Sequence, residues 1–306
     1  MKVLMVCSYR YYAPYTDYIA PFIYEQAKEL RKLGVEIKYF IIKGGWKGYI
    51  RAIWKLRQAI SSYKPDIVHA HSGLCCFVAS LQRSKVPVIS TFHGSDIHNH
   101  RVRFFSCYAM RHSSANFFVS RQMLNMVSPV PNAEVIPCGV DTNEFYYLDM
   151  KKCRQLLGWT QDKIYILFSK EFSDVVKNYP LAKAAVSKIP NAELVELYGY
   201  NRQQMVWLYN ACNCALMTSF TEGSPQFVKE AVACGCPVVS TAVGDVSEVI
   251  SGIKNCKITS YDVEDVVSAL QSMMDIGHFE KPQLNDRYLA GTVAQKIFKI
   301  YEKTIK

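Results

Sequence analysis

Two glutamates eight residues apart are the strongest candidates for chemistry in this chain. Glu222 lies in a loop rich in small and polar residues, and Glu230 follows just over one turn into a helix predicted over residues 226–234. Pro225 suits the first position of that helix, because its missing N–H costs nothing there. Free amides at a helix start favour anions, whereas carboxylates accept hydrogen bonds from hydroxyls. The pattern therefore predicts a site at which sugar or ribose hydroxyls meet carboxylates beside an anion-binding helix start.

The segments around these glutamates are typical of a parallel α/β sheet. Residues 214–218 and 238–241 are short apolar runs, as expected of strands that are buried on both faces. The helix between them completes a β-loop-α-β unit, whose crossover is almost always right-handed. Ligands of such sheets bind at the carboxyl ends of the strands, close to helix starts. Taken alone, two glutamates at this spacing are more often chance neighbours on a solvated helix face.

Composition sets the limits for the whole chain. Its 306 residues, half of them apolar, are enough for two domains of roughly 150 residues each. The 11 cysteines show no zinc-type spacing and are typical of small buried side chains in a reducing cytoplasm. No apolar run is long enough to predict a transmembrane helix. The net charge of +10 lies mostly in the first 150 residues and indicates anionic partners, such as phosphates or a membrane surface.

A longer match surrounds the two glutamates. Residues 222–231 read EGSPQFVKEA, and ACGCPVVST and VGD follow them. This segment resembles the E-x7-E region of family-4 retaining glycosyltransferases of GT-B fold, and residues 135–141 (VIPCGVD) resemble the IPNGVD segment of the same family. The resemblance implies an α/β protein with two Rossmann-like parallel-sheet domains facing a cleft. We expect an acceptor-side domain over residues 1–150 and a trimmed nucleotide-sugar-binding domain over 151–306. Whether the last helix crosses back to the first domain stays open.

The resemblance also implies roles for single residues in the second domain. Glu222 would hold hydroxyls of the transferred sugar and Glu230 those of the ribose, while Lys177 matches a lysine that contacts the donor diphosphate. The arginine that the family places before this lysine has no clean counterpart, and Lys170 is the closest cation. Gly199 would lie beside the nucleobase. The remaining donor contacts would come from the helix start, at Gly223, Ser224, Gln226 and Phe227.

Histidines are the second group of candidates. His93 precedes a glycine directly after an expected strand over residues 86–91, and the family places such a histidine beside the transferred sugar. His69 and His71 have no comparable support, and a lone histidine is more often structural. His98 and His100 could ligate a metal, but the chain contains no DxD, and the resemblance implies no metal and no cofactor. Residues 13–16 (APYT) stand where many members carry a Gly-Gly loop, so that role is not carried over.

These features predict an enzyme that transfers a hexosyl or N-acetylhexosaminyl group from a nucleotide-diphosphate donor to a saccharide or lipid-linked acceptor, with retention and without metal. The family suggests cell-surface polysaccharide biosynthesis in the cytoplasm. The missing arginine and the trimmed domain keep a second hypothesis open, a non-catalytic nucleotide-sugar-binding protein derived from a transferase. A nicotinamide oxidoreductase is less favoured, because no GxGxxG follows the first strand. Nucleic acid is not an expected partner, since the tyrosines of residues 9–15 lack interleaved cations.

One further segment suggests a membrane partner. Residues 46–62 form an expected amphipathic helix with Lys47, Arg51 and Lys55 four residues apart. Trp46 and Trp54 lie on flanking positions, and a basic face edged by tryptophan suits the surface of an anionic bilayer. The alternative is that the apolar residues pack on the sheet while the lysines are merely solvated. The basic first half slightly favours reversible docking on the cytoplasmic leaflet.

Overall fold

The computed structural model describes residues 1–9, 19–281 and 284–306. Residues 13–16, which stand where many family members carry a Gly-Gly loop, lie outside these ranges. The described residues form two compact units, one made of Met1–Gly139 with Ala290–Lys306 and one made of Val140–Leu289. The division therefore falls at Gly139 rather than near residue 150. The last seventeen residues complete the first unit.

The first unit contains a six-stranded parallel sheet in the order β2-β1-β3-β4-β5-β6. Its strands are β1 Lys2–Ser8, β2 Glu36–Ile42, β3 Ile67–His71, β4 Val88–Phe92, β5 Ala115–Phe118 and β6 Ala133–Val135. Its helices are α1 Pro21–Lys32, α2 Gly45–Tyr63, α3 Gly73–Ser80, α4 Ser95–His98, α5 His100–His112, α6 Arg121–Asn125 and, after the second unit, α13 Ala290–Thr304. The strand order reverses at β1, which is the switch point of a doubly wound sheet.

Helices cover both faces of this sheet, which explains why its central strands are apolar without alternation. One face carries α2, α3 and α5, whose buried side chains share a core cluster with Leu4, Val68 and Phe92. The other face carries α1 and α13, which pack around Val3 and Phe117. Because α13 is part of this second layer, the C-terminal helix contributes to the core of the first unit.

The second unit contains a five-stranded parallel sheet in the order β11-β10-β9-β7-β8. Its strands are β7 Ile164–Phe168, β8 Ala192–Glu196, β9 Cys214–Met217, β10 Val238–Thr241 and β11 Cys256–Thr259. Its helices are α7 Met150–Leu157, α8 Tyr179–Val186, α9 Arg202–Ala211, α10 Gln226–Ala233, α11 Val246–Val249 and α12 Val263–Ile276, with single 3₁₀ turns at Val175–Lys177 and Asp286–Tyr288. One strand, β8, lies between Ile189 and Asn201, as expected of a trimmed domain.

The parallel β-loop-α-β unit predicted around the two glutamates is present as β9, α10 and β10. β9 pairs with β7 on one side and with β10 on the other, so the carboxyl ends of all three strands meet at one edge. Pro225 directly precedes α10 instead of occupying its first turn. The loops that follow β7, β8 and β9, together with α10, carry the predicted donor-site residues.

The described residues give two findings on membranes and metals. None of their helices combines the length and the hydropathy that a membrane span needs. Within the same residues, no three His, Cys, Asp or Glu side chains come together as a metal site. His98 and His100 belong to different helices, α4 and α5, and His100 contacts Arg103.

Candidate functional site

Two of the predicted donor-site residues form a direct ion pair. Lys177 ends the 3₁₀ turn after β7, and its ammonium group contacts the carboxylate of Glu222 in the loop after β9. Both side chains are about 15% exposed, so the pair lies at the surface of the unit but is largely screened from solvent. The hydroxyl of Ser219 donates to the same Glu222 oxygen over 2.8 Å. A cation and a hydroxyl-accepting carboxylate are therefore adjacent at the carboxyl edge of the sheet.

Backbone contacts fix the two loops that carry this pair. The amide of Phe220 donates to the carbonyl of Val176 over 2.9 Å, and the hydroxyl of Thr218 donates to the carbonyl of Lys177 over 2.8 Å. Thr241, the last residue of β10, donates to the carbonyl of Ser219. Hydrogen bonds therefore join the loops after β7 and β9 to each other and to the end of β10, and they fix the position of the Lys177–Glu222 pair at the edge of the sheet.

Glu230, which the resemblance assigns to the ribose, is buried. It is 3% exposed and accepts from the hydroxyl of Tyr209 over 2.8 Å and from the guanidinium of Arg202 over 3.1 Å. Burial raises the pKa of Glu230 above its ordinary value, while Arg202 and Tyr209 oppose that shift. Arg202 also forks two bonds to Glu144, at 2.9 and 3.0 Å. Glu230 is therefore part of a buried polar network rather than a free acceptor on the helix surface.

The start of α10 is held by a second buried network. The hydroxyl of Ser224 donates to Asp245 over 2.6 Å, and Lys229 contacts both Ser224 and Asp245, the latter over 3.0 Å. Lys229 is fully buried. Gly244 adopts a φ of +60°, and a Cβ at this position would lie 2.5 Å from the carbonyl oxygen of Gly223. The loops after β9 and β10 therefore pack backbone to backbone, and the ion pair fixes Ser224 beneath them.

The other predicted donor contacts are distributed along the same edge. Gly199 is exposed in the turn after β8 with a φ of +80°. Gln226 and Phe227 form the first turn of α10, where Phe227 is buried against the ring of Tyr209. Lys170 follows β7 but pairs with Asp174 at 3.0 Å, so this pairing directs it within its own loop. No contact links Lys170 to the Lys177–Glu222 pair among the described residues.

His93 lies in the first unit, in the loop directly after β4. Its Nε2 lies 3.1 Å from Nδ1 of His71, and the two rings stack with their centroids 5.3 Å apart. The ring of Phe22 also contacts it, tilted, at a centroid distance of 4.5 Å. Its backbone amide donates to Asp96 over 2.6 Å. Gly94 follows with a φ of +142°, which side-chain-bearing residues rarely adopt. The His-Gly pair is therefore a constrained turn, and His93 opens into a pocket that Gln26 also lines.

The neighbouring histidines are structural. His69 is fully buried, with Nδ1 at 2.5 Å from the hydroxyl of Tyr301 and Nε2 at 2.7 Å from that of Thr91. Burial lowers the pKa of His69 well below its ordinary value and that of His71 to about 3. Both rings are therefore neutral near pH 7. No role was predicted for His71, yet its ring contacts and stacks on the ring of His93.

Comparison with known proteins places this geometry in a family. The sequence model of Glycosyltransferase Family 4 matches residues 25–144, and that of Glycosyl transferases group 1 matches residues 175–275. The chain belongs to the family-4 glycosyltransferases. All but the last five residues of the first match lie in the first unit, and this match includes His93, whereas the second match includes the Lys177–Glu222 pair and Glu230.

Individual relatives are distant from this family-4 chain. A D-inositol 3-phosphate glycosyltransferase from Mycolicibacterium paratuberculosis is 23% identical over 270 residues, covering 71% of this chain and 61% of that protein. The chain thus spans about three fifths of that relative's length. Sucrose-phosphate synthase from Thermosynechococcus elongatus has a TM-score of 0.78 at 14% identity, over 100% and 95% of the two chains. HepE from Anabaena, solved with UDP and glucose, has a TM-score of 0.75 at 17% identity, over 99% and 100%. The structural likenesses confirm the predicted GT-B fold.

Three functional candidates of this family-4 chain were missed from the sequence. They are Arg202, which pairs with Glu230, Glu144, which pairs with Arg202, and Lys229, which contacts Ser224 and Asp245. Asn201 begins α9 with a capping box that includes Gln204, and this Asn-x-x-Gln signal could have placed Arg202 in the first turn of a helix. No comparable local signal exists for the pairing of Arg202 with Glu144, because 58 residues separate them.

Proposed function

We propose that the protein transfers a sugar from a nucleotide-diphosphate donor to a saccharide or lipid-linked acceptor. The observation that carries this proposal is the contact between Lys177 and Glu222 at the carboxyl edge of the second sheet. An ammonium group there can neutralise the charge that develops on a leaving diphosphate. The adjacent carboxylate can accept hydrogen bonds from hydroxyls of the sugar being transferred.

The proposal assigns the rest of the edge by chemistry. Glu230, held by Arg202 and Tyr209, accepts from the ribose, and the start of α10 offers amides to the donor. His93, on the first unit, would contact the sugar. We propose further that transfer proceeds with retention, as the resemblance to the retaining family-4 enzymes implies, and without metal, with the ammonium group of Lys177 meeting the diphosphate charge. Cell-surface polysaccharide biosynthesis is the expected setting, with a hexosyl or N-acetylhexosaminyl group transferred on the cytoplasmic side of a membrane.

A panel of nucleotide sugars tests this function. Each UDP- and GDP-linked hexose or N-acetylhexosamine is incubated with the protein, and release of the nucleoside diphosphate is followed with and without EDTA. We expect turnover with at least one donor and no inhibition by EDTA. Inhibition by EDTA that added metal reverses would contradict the metal-independent mechanism. Absence of turnover, combined with calorimetric binding of a donor, would instead support the second candidate.

That second candidate is a nucleotide-sugar-binding protein without catalysis. The observation that favours it is the pairing of Lys170 with Asp174, because this leaves Lys177 as the single cation of its loop that contacts the predicted site. Only arginine could fork two diphosphate oxygens from the position that the family normally fills, and neither lysine can do so. A binding protein would show donor affinity without nucleoside diphosphate release.

The two glutamates should fail in different ways. Glu230→Gln removes the carboxylate that accepts from the ribose, so the affinity for UDP or GDP should fall about tenfold. Glu222→Gln should leave that affinity nearly unchanged, because its partner is the sugar, but kcat should fall about tenfold. Calorimetry with the nucleotide and steady-state kinetics measure the two quantities. Equal losses of nucleotide affinity in both variants would contradict separate ribose and sugar roles.

His93→Ala should lower kcat/KM about tenfold while the protein stays folded. The protein should stay folded because His93 lies at the end of a loop, where it contacts Phe22 and His71 outside the core of the unit. Circular dichroism and thermal melting check the fold, and transfer to a soluble acceptor checks activity. His112→Ala, an exposed histidine in the same unit, is the matched control. Unfolding of His93→Ala at room temperature would make this histidine structural.

A further inference from the structure

The helix that the sequence marked as basic and aromatic exposes its large apolar side chains. Within α2, Ala52, Leu56 and Ile60 are the side chains buried against the sheet. Trp46, Ile50 and Trp54, one helical turn apart from each other, are 70%, 53% and 65% exposed. These three therefore form a stripe on the outer side of the helix. The alternative in which the apolar residues pack on the sheet is therefore wrong for Trp54 and Ile50, whereas Ile53 does pack against the core.

Cations surround this stripe. Lys47, Arg51 and Lys55 each follow one stripe residue and are exposed, which places a second, cationic stripe beside the first. The guanidinium of Arg57 lies 4.7 Å above the ring of Trp54, and the ammonium of Lys47 lies 5.8 Å from Trp46. The indole rings are thus held next to positive charge, and no acidic residue occurs in α2.

A recess at the start of α2 concentrates the same charge. It is lined by Lys43, Arg51 and Lys55 together with the turn at Gly44 and Gly48. The backbone approaches itself closely here, because a Cβ at Gly48 would lie 1.8 Å from the carbonyl oxygen of Lys43. Three cations around one recess match the charge of a phosphate group in a lipid headgroup.

A second helix extends the surface. α5 lies on the same side of the sheet as α2, with α3 packed against both. Phe104 is 74% exposed on α5, and Tyr108, one turn later, is also exposed. Arg101 and Arg111 are exposed cations of this helix, which contains no acidic residue. Aromatic side chains bordered by cations therefore recur on both outer helices of this layer.

Acidic residues are almost absent from the sequence that builds this layer. Between Lys43 and His112 the acidic residues are Asp66 and Asp96. Asp66 accepts from the backbone amide of Lys2 at the opposite end of β1 from the switch-point loops, and Asp96 is buried and accepts from the amide of His93. Neither opposes the charge of α2 and α5. We call the exposed residues of these two helices the basic face.

We propose that the basic face docks on an anionic phospholipid bilayer, with Trp46, Ile50, Trp54 and Phe104 entering the headgroup region. Charge complementarity and the exposed indoles identify this occupant, because tryptophan favours the boundary between headgroups and acyl chains. The contact is reversible, since it combines a few apolar side chains with cations that salt screens. Docking of the basic face would bring a lipid-linked acceptor to the first unit. This role of the docking rests on the proposed function.

Co-sedimentation with vesicles tests the docking without donor or acceptor, so its failure is separate from a failure of sugar transfer. Wild-type protein should bind vesicles of phosphatidylglycerol and phosphatidylcholine at low salt and should not bind phosphatidylcholine alone. High salt should release most of it. Each Lys or Arg close to such a surface strengthens binding about fivefold, so Lys47→Glu with Arg51→Glu and Lys55→Glu should weaken it about 100-fold or more. Absence of wild-type binding to every anionic vesicle would overturn the proposal.

Two further variants separate a docking face from general attraction of a basic protein. Lys151→Glu with Lys152→Glu and Lys254→Glu changes the net charge equally on exposed residues of the second unit, and this variant should keep its vesicle binding. Trp46→Ser with Trp54→Ser should weaken binding at least tenfold while leaving the salt dependence in place. Circular dichroism verifies that each variant is folded. Equal losses in both charge-reversal variants, or wild-type binding by the tryptophan variant, would overturn docking through this face. Docking on a bilayer would also be overturned if a duplex oligonucleotide bound as tightly as the vesicles and independently of the tryptophans.

Discussion

Replacing Lys177 with alanine should lower kcat/KM for sugar transfer by about 10- to 150-fold. This lysine matches the one that contacts the donor diphosphate in the family, and it is largely screened from solvent beside Glu222. A hydrogen bond to a charged group contributes about 1.5–3 kcal/mol, and this one would strengthen as the diphosphate leaves. The substitution also leaves the Glu222 carboxylate without its cation next to the incoming diphosphate. Steady-state kinetics with the donor found in the nucleotide-sugar panel measure the loss.

Controls distinguish a donor contact from a broken ion pair. Lys188→Ala breaks an ion pair with Glu264 in the same unit, where both side chains are well exposed, and should change kcat/KM less than twofold or so. Lys170→Ala tests the second cation, and its effect should be smaller because Lys170 is exposed and paired with Asp174. Wild-type kinetics for Lys177→Ala would show that the diphosphate is held elsewhere.

The elements that the sequence predicted best are those whose burial is uniform. β10 spans residues 238–241, and β9 spans residues 214–217 of the predicted 214–218, as their apolar runs indicated. α3 was not predicted, although it is just as apolar. Five of its eight residues are buried and the other three are partly buried between neighbouring helices and the sheet, and its sequence shows no 3.6-residue alternation of apolar and polar residues that would separate a helix from a strand. Tertiary packing, rather than local pattern, decides its structure.

The site was predictable where it depends on topology. Parallel strands place their following loops at one edge, so Lys177 and Glu222 could be expected to be close although 45 residues separate them. The partners of Glu230 were not predictable in the same way. The position of Glu230 in α10 is compatible with either a solvated or a buried carboxylate. It is buried because Arg202 and Tyr209, which are distant in the sequence, donate hydrogen bonds to it.

The burial of Lys229 was even less predictable from the sequence than that of Glu230. In the sequence it interrupts an apolar stretch of α10 and would ordinarily be assigned to the solvated side of the helix. The structure instead buries it completely, with its ammonium group between Asp245 and Ser224 and 5.3 Å from the ring of Tyr288. The charge is tolerated because Asp245, in the loop after β10, is buried beside it. Two unremarkable residues in the sequence are therefore interdependent.

Lys229→Met should destabilise the second unit by about 3–5 kcal/mol. Methionine fills most of the volume of lysine, so the loss reports the charge rather than a cavity. Asp245 would remain buried with Ser224 as its partner, and its Oδ1 atom already has no hydrogen-bond partner among the described residues. Thermal melting should show a midpoint about 6–20 °C lower for this unit. Lys163→Met, which breaks the exposed pair with Glu193, should shift it far less.

The double variant Lys229→Met with Asp245→Asn decides why the single substitution destabilises. Removing both charges leaves no buried ion unpaired, and asparagine can still accept from Ser224, so most of the lost stability should return. If the ion pair also fixes the loop before α10, the double variant should melt near the wild-type temperature but keep a raised KM for the donor. Equal melting temperatures for the single and double variants would contradict a charge-pair origin, because the loss would then follow from side-chain shape alone. A single variant as stable as wild type would show that Asp245 does not depend on Lys229.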